Sequence, residues 1–170
     1  VRGIDLTLDS GEVLAVVGES GCGKSALLKA VMRLLPENAS VTGKILVNDT
    51  DIAPYPEKQL QKLRGSLFSM VFQDPMTALN PSMTIGSQIA EAVLVHDPKI
   101  SKDALRARVL ELMELVEIDR PMERMKLYPH NFSGGMRQRA VMAIALAARA
   151  KILLADEPTT ALDVTIQAQI

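Results

Sequence analysis

Hydrophobic and polar positions alternate at the start of the chain with the two-residue period of β-structure. Residues 4–8 alternate apolar and polar side chains, which predicts a half-buried strand, and residues 13–17 are a continuous apolar run, which predicts a buried strand. Asp9-Ser10-Gly11 separates them as a turn. A further strand is predicted at residues 44–47, before a turn at Asn48-Asp49. We therefore expect the chain to open with antiparallel β-structure.

The pattern then changes to longer segments. Helices are predicted over residues 26–32, 56–63, 85–95, 103–116 and 135–149, and buried strands over residues 67–72 and 152–155. Pro121 and Pro129 bracket a predicted loop. Parallel pairing of the strands at 13–17 and 152–155 requires a crossover, and helices lie within that crossover. The pattern therefore predicts an α/β core interrupted by a helical insert.

Composition and charge exclude several classes of protein. The chain has 170 residues, 48% of them apolar, which is enough for one core with an attached subdomain. A net charge of −1 and an aromatic content of 3% provide neither a basic track nor a stacking surface for nucleic acid. Cys22 is the only cysteine, which excludes an internal disulfide. The longest apolar stretch, residues 140–148, is far shorter than the ~20 residues that span a bilayer, so we expect any membrane role to act through a partner.

Residues 18–25, the phosphate loop, fill every fixed position of the pattern GxxxxGK(S/T), between a predicted strand and a predicted helix. Glycines let successive backbone N–H groups approach phosphate oxygens, and the helix N-terminus adds about half a positive charge. Lys24 can reach the β- and γ-phosphates, and the Ser25 hydroxyl can bind Mg²⁺. The alternative is a glycine-rich turn that happens to fit. The residues expected to contact a nucleotide are Gly18, Ser20, Gly21, Cys22, Gly23, Lys24 and Ser25.

Two carboxylates, Asp156 and Glu157, follow the predicted strand at residues 152–155. Phosphoryl transfer uses one carboxylate to hold Mg²⁺ and another group to orient or deprotonate water, and this pair suits those roles. On its own, an apolar run followed by Asp-Glu is more often a strand end that meets solvent. Together with the phosphate loop, it predicts a hydrolytic site.

Residues 131–136, the second glycine loop, lie at the start of the last predicted helix. Ser133 and free backbone N–H groups there can bind another anion. Because two such loops of one chain cannot easily reach the same γ-phosphate, this favours a symmetric dimer in which each chain caps the nucleotide held by the other. The alternative, an N-capped helix after a glycine turn, stays open at this point.

These motifs resemble, in kind and in order, those of the nucleotide-binding domain of ATP-binding cassette (ABC) transporters. The segments that carry the resemblance are residues 18–25, Gln73, Ser133-Gly134-Gly135, residues 153–158 and Ala161-Leu162-Asp163. Within that family, residues 72–81, 128–139 and 163–170 are similar to the ATPase subunits of bacterial dipeptide and oligopeptide importers, and nickel and glutathione importers are similar too.

The resemblance implies an α/β fold with a P-loop NTPase (RecA-like) core, an N-terminal antiparallel β part and a helical subdomain insert. Residues 1–73 would form the first part of the core, and residues 74–150 the helical subdomain. Residues 151–170 would continue the core.

The resemblance also implies an ATPase that binds ATP and Mg²⁺ and drives the import of di- and oligopeptides or similar small solutes. Glu157 would be the catalytic base, and Gln73 would sense the γ-phosphate and Mg²⁺ and couple to the membrane subunits. Asp163 would lie at the seam of a dimer. The residues that would act across that dimer are Ser133, Gly134 and Gly135. The implied Mg²⁺ ligands are Ser25, Gln73 and Asp156.

The implied partners are a second nucleotide-binding domain and membrane permease subunits, with a solute-binding protein engaged only indirectly and no nucleic acid. The implied location is the cytoplasmic face of the cell membrane, as a peripheral protein. Two alternatives are a soluble ABC-type ATPase of DNA repair or translation, which would show a long coiled-coil insert or basic segments, and a fragment that binds nucleotide without turnover.

The sequence departs from the family pattern in three ways. Phe132 and Met136 replace the leucine and glutamine of the commonest signature, and no aromatic residue precedes the first strand to stack on adenine. The chain also ends before the position of the family's switch histidine. His96 and His130 lie upstream of the acidic pair, so they are interpreted as surface or packing residues. We therefore expect a fragment of a longer ATPase.

Overall fold

The structure is a computed structural model that describes residues 1–159, and these residues divide into two compact units, residues 1–61 and 62–159. The elements follow in the order α1 (Lys24–Val31), β1 (Leu46–Val47), β2 (Thr50–Asp51), α2 (Glu57–Leu63), β3 (Phe68–Val71), α3 (Pro75–Ala78), α4 (Ile85–His96), α5 (Lys102–Leu115), α6 (Pro121–Arg124), a 3₁₀ turn (Pro129–Asn131), α7 (Gly134–Ala147) and β4 (Ile152–Ala155).

The first unit holds helix α1 and the hairpin of β1 and β2. The two strands are antiparallel, with Val47 opposite Thr50. The turn residues Asn48 and Asp49 have φ of 45° and 64°. A tight two-residue hairpin requires this left-handed region, which asparagine and aspartate tolerate. The strand and turn predicted here are confirmed, with a shorter strand than expected.

The predicted strands at residues 4–8 and 13–17 do not form regular strands. Val13 and Val17 are 94% and 91% exposed. An apolar run indicates a preference for burial, but a strand also needs a partner for its backbone N–H and C=O groups. Among residues 1–159 the regular ladders join β1 to β2 and β3 to β4, so neither segment has a neighbour that completes it. The predicted antiparallel opening is therefore confined to the β1–β2 hairpin.

The second unit is built on β3 and β4, which pair in parallel from Phe68 with Ile152 to Val71 with Ala155. Both strands were predicted, but their pairing with each other was not; the expected pairing of β4 with residues 13–17 joins the two units and stays a prediction. Strand β3 is buried along its whole length, and the hydroxyl of Ser69 donates a hydrogen bond to a carbonyl of α7 at 2.7 Å. Periodicity identifies a strand but not its neighbour, which is why the pairing of β3 with β4 was not predicted.

Helices α3 to α7 lie between β3 and β4 in the chain, as the predicted helical insert requires. Helices α4, α5 and α7 pack around one apolar core. Its most deeply buried members include Ile85, Ile89, Val109, Leu112, Met113 and Ala140. Each of these helices begins after a hydroxyl residue whose side chain accepts a backbone N–H of the first turn, which fixes its starting point. These residues are Thr84, Ser101 and Ser133.

The segment between Pro121 and Pro129 was predicted as a loop, but it contains α6. Proline suits the first position of a helix because the missing N–H has no partner there anyway. A four-residue helix is too short to produce a periodic signal, which is why the sequence pattern did not predict it. The segment lies against α4, where the Gly86 N–H donates to the Met125 carbonyl at 2.9 Å. A Cβ at Gly86 would come within 2.6 Å of that oxygen, so this contact requires glycine.

Candidate functional site

The phosphate loop lies in the first unit and ends at Ser25, the second residue of α1. Gly21 and Gly23 have φ of 80° and 105°, which only glycine adopts without strain. A Cβ at Gly18 would come within 2.7 Å of the Cys22 sulfur. The backbone of the loop therefore requires glycine at positions 21 and 23, whereas a side chain at position 18 would have to displace the Cys22 sulfur. The loop leads into the positive end of the α1 dipole.

The Lys24 side chain folds back over the phosphate loop. Its ammonium donates to the carbonyl oxygens of Gly18 at 2.8 Å and Glu19 at 2.9 Å. The sulfur of Cys22 lies 4.0 Å from the same nitrogen. The lysine charge is therefore held at the loop by neutral acceptors. A phosphate oxygen would be a stronger partner, because its negative charge adds a Coulomb attraction to the ammonium that a neutral carbonyl lacks.

The candidate catalytic residues Gln73 and Glu157 meet in the second unit. The Gln73 Nε2 donates to the Glu157 Oε2 at 2.9 Å. The parallel register of β3 and β4 explains this contact. Val71 and Ala155 are paired at the ends of the two strands, and Gln73 and Glu157 each lie two positions further along. Glu157 has a φ of 48°, so its backbone leaves the strand direction immediately after β4.

Asp156 lies between the end of β4 and Glu157. Its side chain is 3% exposed, and its backbone N–H donates to the Val71 carbonyl at 3.0 Å, which continues the parallel ladder by one step. The two carboxylates therefore differ in environment, because Asp156 is buried at the strand end and Glu157 is half-buried beside Gln73. This is the arrangement that separate roles in metal binding and proton transfer require.

The proposed Mg²⁺ ligands offer a hydroxyl from Ser25, an amide oxygen from Gln73 and a carboxylate from Asp156. Magnesium prefers such oxygen ligands and usually takes only one or two from protein carboxylates. The hydrogen bond from Gln73 to Glu157 uses the amide nitrogen, so its oxygen can still act as a ligand. The donor chemistry therefore fits Mg²⁺. Over residues 1–159, no group of three or more His, Cys, Asp or Glu side chains could hold a metal ion.

The second glycine loop places Ser133 at the N-cap of α7. The Ser133 Oγ accepts the Met136 N–H at 3.3 Å, which is the capping geometry that one sequence interpretation predicted. Ser133 and Gly134 are exposed, and a Cβ at Gly134 would meet no atom within 4 Å. The start of this 14-residue helix is therefore open to solvent, and the cap does not exclude anion binding.

The two histidines are exposed, as interpreted from the sequence. His130 stacks on Tyr128 with ring centroids 5.5 Å apart. Asp163 lies outside the described residues.

Two residues of α7 carry features that the sequence analysis missed. The Arg137 Nε donates to the Pro129 carbonyl at 2.7 Å, and its Nη1 contacts the Met76 sulfur. Gln138 is 1% exposed, and neither of its amide atoms has a hydrogen-bond partner. Arg137 could have been noticed as a cation in the first turn of a helix, where the dipole disfavours it.

Within the described part of the chain, no helix combines the length and hydropathy needed to cross a bilayer.

Curated relatives match the chain from end to end. The oligopeptide transport ATP-binding protein OppD of Bacillus subtilis (strain 168) is 55% identical over 100% of this chain and 48% of that protein. The dipeptide transport ATP-binding protein DppD of the same organism is 56% identical over 100% of this chain and 51% of that protein. The chain therefore spans about half the length of these curated relatives.

A solved structure has a fold similar to that of this chain. A dimeric ATP-binding cassette in a post-hydrolysis state, bound to ADP and Pi, aligns with a TM-score of 0.85 at 28% identity, over 97% of this chain and 68% of that one. This likeness confirms the predicted fold class, although the strand at residues 13–17 is not regular. The family model described as ABC transporter matches residues 1–160, and the chain therefore belongs to the ABC transporter family.

Proposed function

We propose that the chain is the nucleotide-binding domain of an ATPase subunit that drives the import of di- or oligopeptides, or similar small solutes, through a membrane permease. The observation that carries this proposal is the hydrogen bond from Gln73 to Glu157 at 2.9 Å, because it brings an amide and a carboxylate together at the end of two parallel strands. The peptide class is supported by the names of the two Bacillus subtilis relatives.

In the proposed reaction, the phosphate loop binds the phosphates of ATP through its backbone N–H groups and the Lys24 ammonium. Lys24 exchanges its present carbonyl partners at Gly18 and Glu19 for phosphate oxygens. The positive end of the α1 dipole adds to this attraction. ATP binding therefore requires rotation of the Lys24 side chain. The backbone of the phosphate loop stays in place, because its glycines already have the conformation that the loop needs.

Glu157 acts as the general base. Its carboxylate accepts the proton of the water whose oxygen attacks the γ-phosphorus, while the bond to the β–γ bridging oxygen breaks to give ADP and phosphate. Gln73 holds one carboxylate oxygen, so the base keeps a fixed orientation. Ser25 in the first unit, and Asp156 and the oxygen of Gln73 in the second, each offer an oxygen that would suit Mg²⁺, which when bound neutralises charge on the phosphates.

The second glycine loop acts across a dimer of nucleotide-binding domains. Ser133, Gly134 and Gly135 bind the γ-phosphate of the nucleotide that the partner chain holds. This proposal is supported by the exposed start of α7 and by the dimeric state of the similar cassette bound to ADP and Pi. The remaining partners are the permease subunits, and the subunit lies on the cytoplasmic face of the membrane. The solute-binding protein is engaged only indirectly.

The test uses the full-length subunit and its permease in proteoliposomes, with ATP inside and a labelled dipeptide or oligopeptide delivered with its binding protein. ATP-dependent uptake that is lost in Lys24→Ala, and kept in the control Lys29→Ala at the other end of α1, is the expected result. Hydrolysis without uptake of any peptide would overturn the peptide class. Nucleotide binding without turnover in the complete assembly would overturn the ATPase assignment.

A further inference from the structure

Arg137 connects the second glycine loop to the segment that carries Gln73. It lies at the end of the first turn of α7, and its backbone N–H donates to the carbonyl of the N-cap Ser133 at 2.9 Å. A cation in the first turn opposes the helix dipole, so the helix itself does not favour arginine here. The side chain is also half-buried instead of extending into water. Contacts outside the helix therefore hold it in place.

Those contacts come from two separate parts of the second unit. The Nε donates to the Pro129 carbonyl at 2.7 Å, which fixes the plane of the guanidinium. The Nη1 contacts the sulfur of Met76, which lies 61 positions earlier in the chain. Sulfur is a weak acceptor but polarizable, so this contact combines packing with electrostatic attraction. The guanidinium thus ties α7 to α3, the helix that contains Met76.

Helix α3 begins two residues after Gln73. The carboxylate of Asp74 caps it by accepting the Met76 N–H at 2.8 Å, so Met76 is fastened to the residue that follows Gln73. Gln73 in turn donates to Glu157 at 2.9 Å. Contacts between neighbouring groups therefore run without a gap from the second glycine loop to the candidate base.

We propose that Arg137 is a positioning residue that couples the second glycine loop to Glu157 through Met76 and Gln73. When the loop binds the γ-phosphate held by the partner chain, Arg137 carries the displacement of α7 to α3. Gln73 then sets the orientation of the Glu157 carboxylate. This inference rests on the proposed function, from which it takes the roles of the loop and of the base. A chain of contacts becomes a coupling path only if its members depend on one another energetically.

The experiment measures that dependence in the full-length subunit assembled with its permease. Arg137→Gln shortens the side chain and removes its charge, and it is made alone and together with Gln73→Leu. Alone, it is expected to lower kcat on the order of 10- to 100-fold with little change in KM for ATP, since it misplaces the base without touching the nucleotide. In the Gln73→Leu background it is expected to cause no further loss. Arg108→Gln, on α5 and paired with Glu111, is the control that should leave kcat unchanged.

Met76→Ala provides a second variant, because it removes the α3 side of the contact and lies outside the second glycine loop. Met76→Ala should lower kcat as Arg137→Gln does. Arg137→Lys, which keeps the charge, should lower kcat less than Arg137→Gln. Thermal unfolding of every variant distinguishes a loss of folded protein from a misplaced Glu157 carboxylate. If Arg137→Gln does not fold, the kcat of Met76→Ala tests the inference in its place.

Independent losses in kcat, which multiply when Arg137→Gln and Gln73→Leu are combined, would overturn the inference. So would loss of the ATP-bound dimer on Arg137→Gln in a Glu157→Gln background, since that result would place Arg137 directly on the partner's phosphate. Both results leave the proposed function intact, because they are measured against an active wild-type assembly. A wild-type assembly without ATP hydrolysis would instead overturn the proposed function, and the inference with it.

Discussion

The amide of Gln73 donates to the carboxylate of Glu157 at 2.9 Å, although 84 positions separate the two residues in the chain. The parallel register of β3 and β4 creates this contact, because both residues lie two positions beyond a paired end. The hydrogen bond joins the segment that leads into the helices to the carboxylate proposed as the base. It is the structural basis of the first prediction.

Glu157→Gln in the full-length subunit should keep ATP binding and lower hydrolysis about 10²- to 10⁴-fold, the usual contribution of a general base. Glutamine can still accept the hydrogen bond from Gln73 through its amide oxygen, so the local structure should survive. Single-turnover kinetics would measure the chemical step. The variant should also accumulate as an ATP-bound dimer, because hydrolysis no longer separates the chains. Normal single-turnover rates would remove Glu157 from the catalytic role.

Gly135→Asp should abolish the ATP-bound dimer while leaving ATP binding to the chain's own Lys24 intact. Its carboxylate would lie against the partner's γ-phosphate and crowd a backbone that must approach it closely. Gly135→Asn is the matched control, since it adds nearly the same volume without charge and should weaken the dimer less. Light scattering of both variants in a Glu157→Gln background would provide the comparison. If the dimer populations with and without Gly135→Asp are equal, Ser133 to Gly135 cap α7 and do not bind the partner's phosphate.

Lys24→Ala should weaken Mg-ATP binding, because it removes the charge that reaches the β- and γ-phosphates. Titration calorimetry would compare it with Lys29→Ala, which removes the same charge from the last turn of α1. The control should lose at most the modest stabilisation of a cation at a helix C-terminus, about 0.3–1 kcal/mol in folding stability. Unchanged affinity in Lys24→Ala would show that the phosphate loop is not the nucleotide site.

Leu112→Ala should destabilise the protein by about 2–5 kcal/mol, because the side chain is fully buried among α4, α5 and α7 and its removal leaves a cavity. Leu115→Ala is the matched control on the same helix, where the leucine is 62% exposed and the change should stay within about 0.5 kcal/mol. Urea unfolding of both variants would measure the difference. Similar losses in the two variants would contradict the assignment of this core.

Gln138→Leu should raise the free energy of unfolding by about 1–3 kcal/mol, because it removes a buried amide whose two polar atoms lack partners and replaces it with an apolar side chain of similar size. Gln138→Glu should have the opposite effect, since burial of an unpaired charge is more costly than burial of an amide. Denaturant unfolding of the pair would separate them. A loss of stability in Gln138→Leu would show that the amide has a hydrogen-bond partner in solution.

The sequence by itself determined the features that depend on neighbouring residues. The phosphate loop was readable because GxxxxGK(S/T) demands particular residue types at fixed spacing, and the glycines at 21 and 23 have the positive φ that the pattern anticipates. The long helices α4, α5 and α7 were predicted within a few residues, because the pattern of apolar residues along a helix is a local signal. The acidic pair after β4 was likewise visible from its position at a strand end.

The tertiary structure decided what depends on residues far apart in the chain. Periodicity predicted both β3 and β4, but their parallel pairing with each other is visible only in the structure. An apolar run records only a tendency to be buried, and Val13 at 94% exposure shows that burial also requires a neighbouring strand. The contact of Gln73 with Glu157 and the contact of Arg137 with Met76 likewise arise only when strands and helices pack, because side-chain chemistry does not specify which distant group will be adjacent.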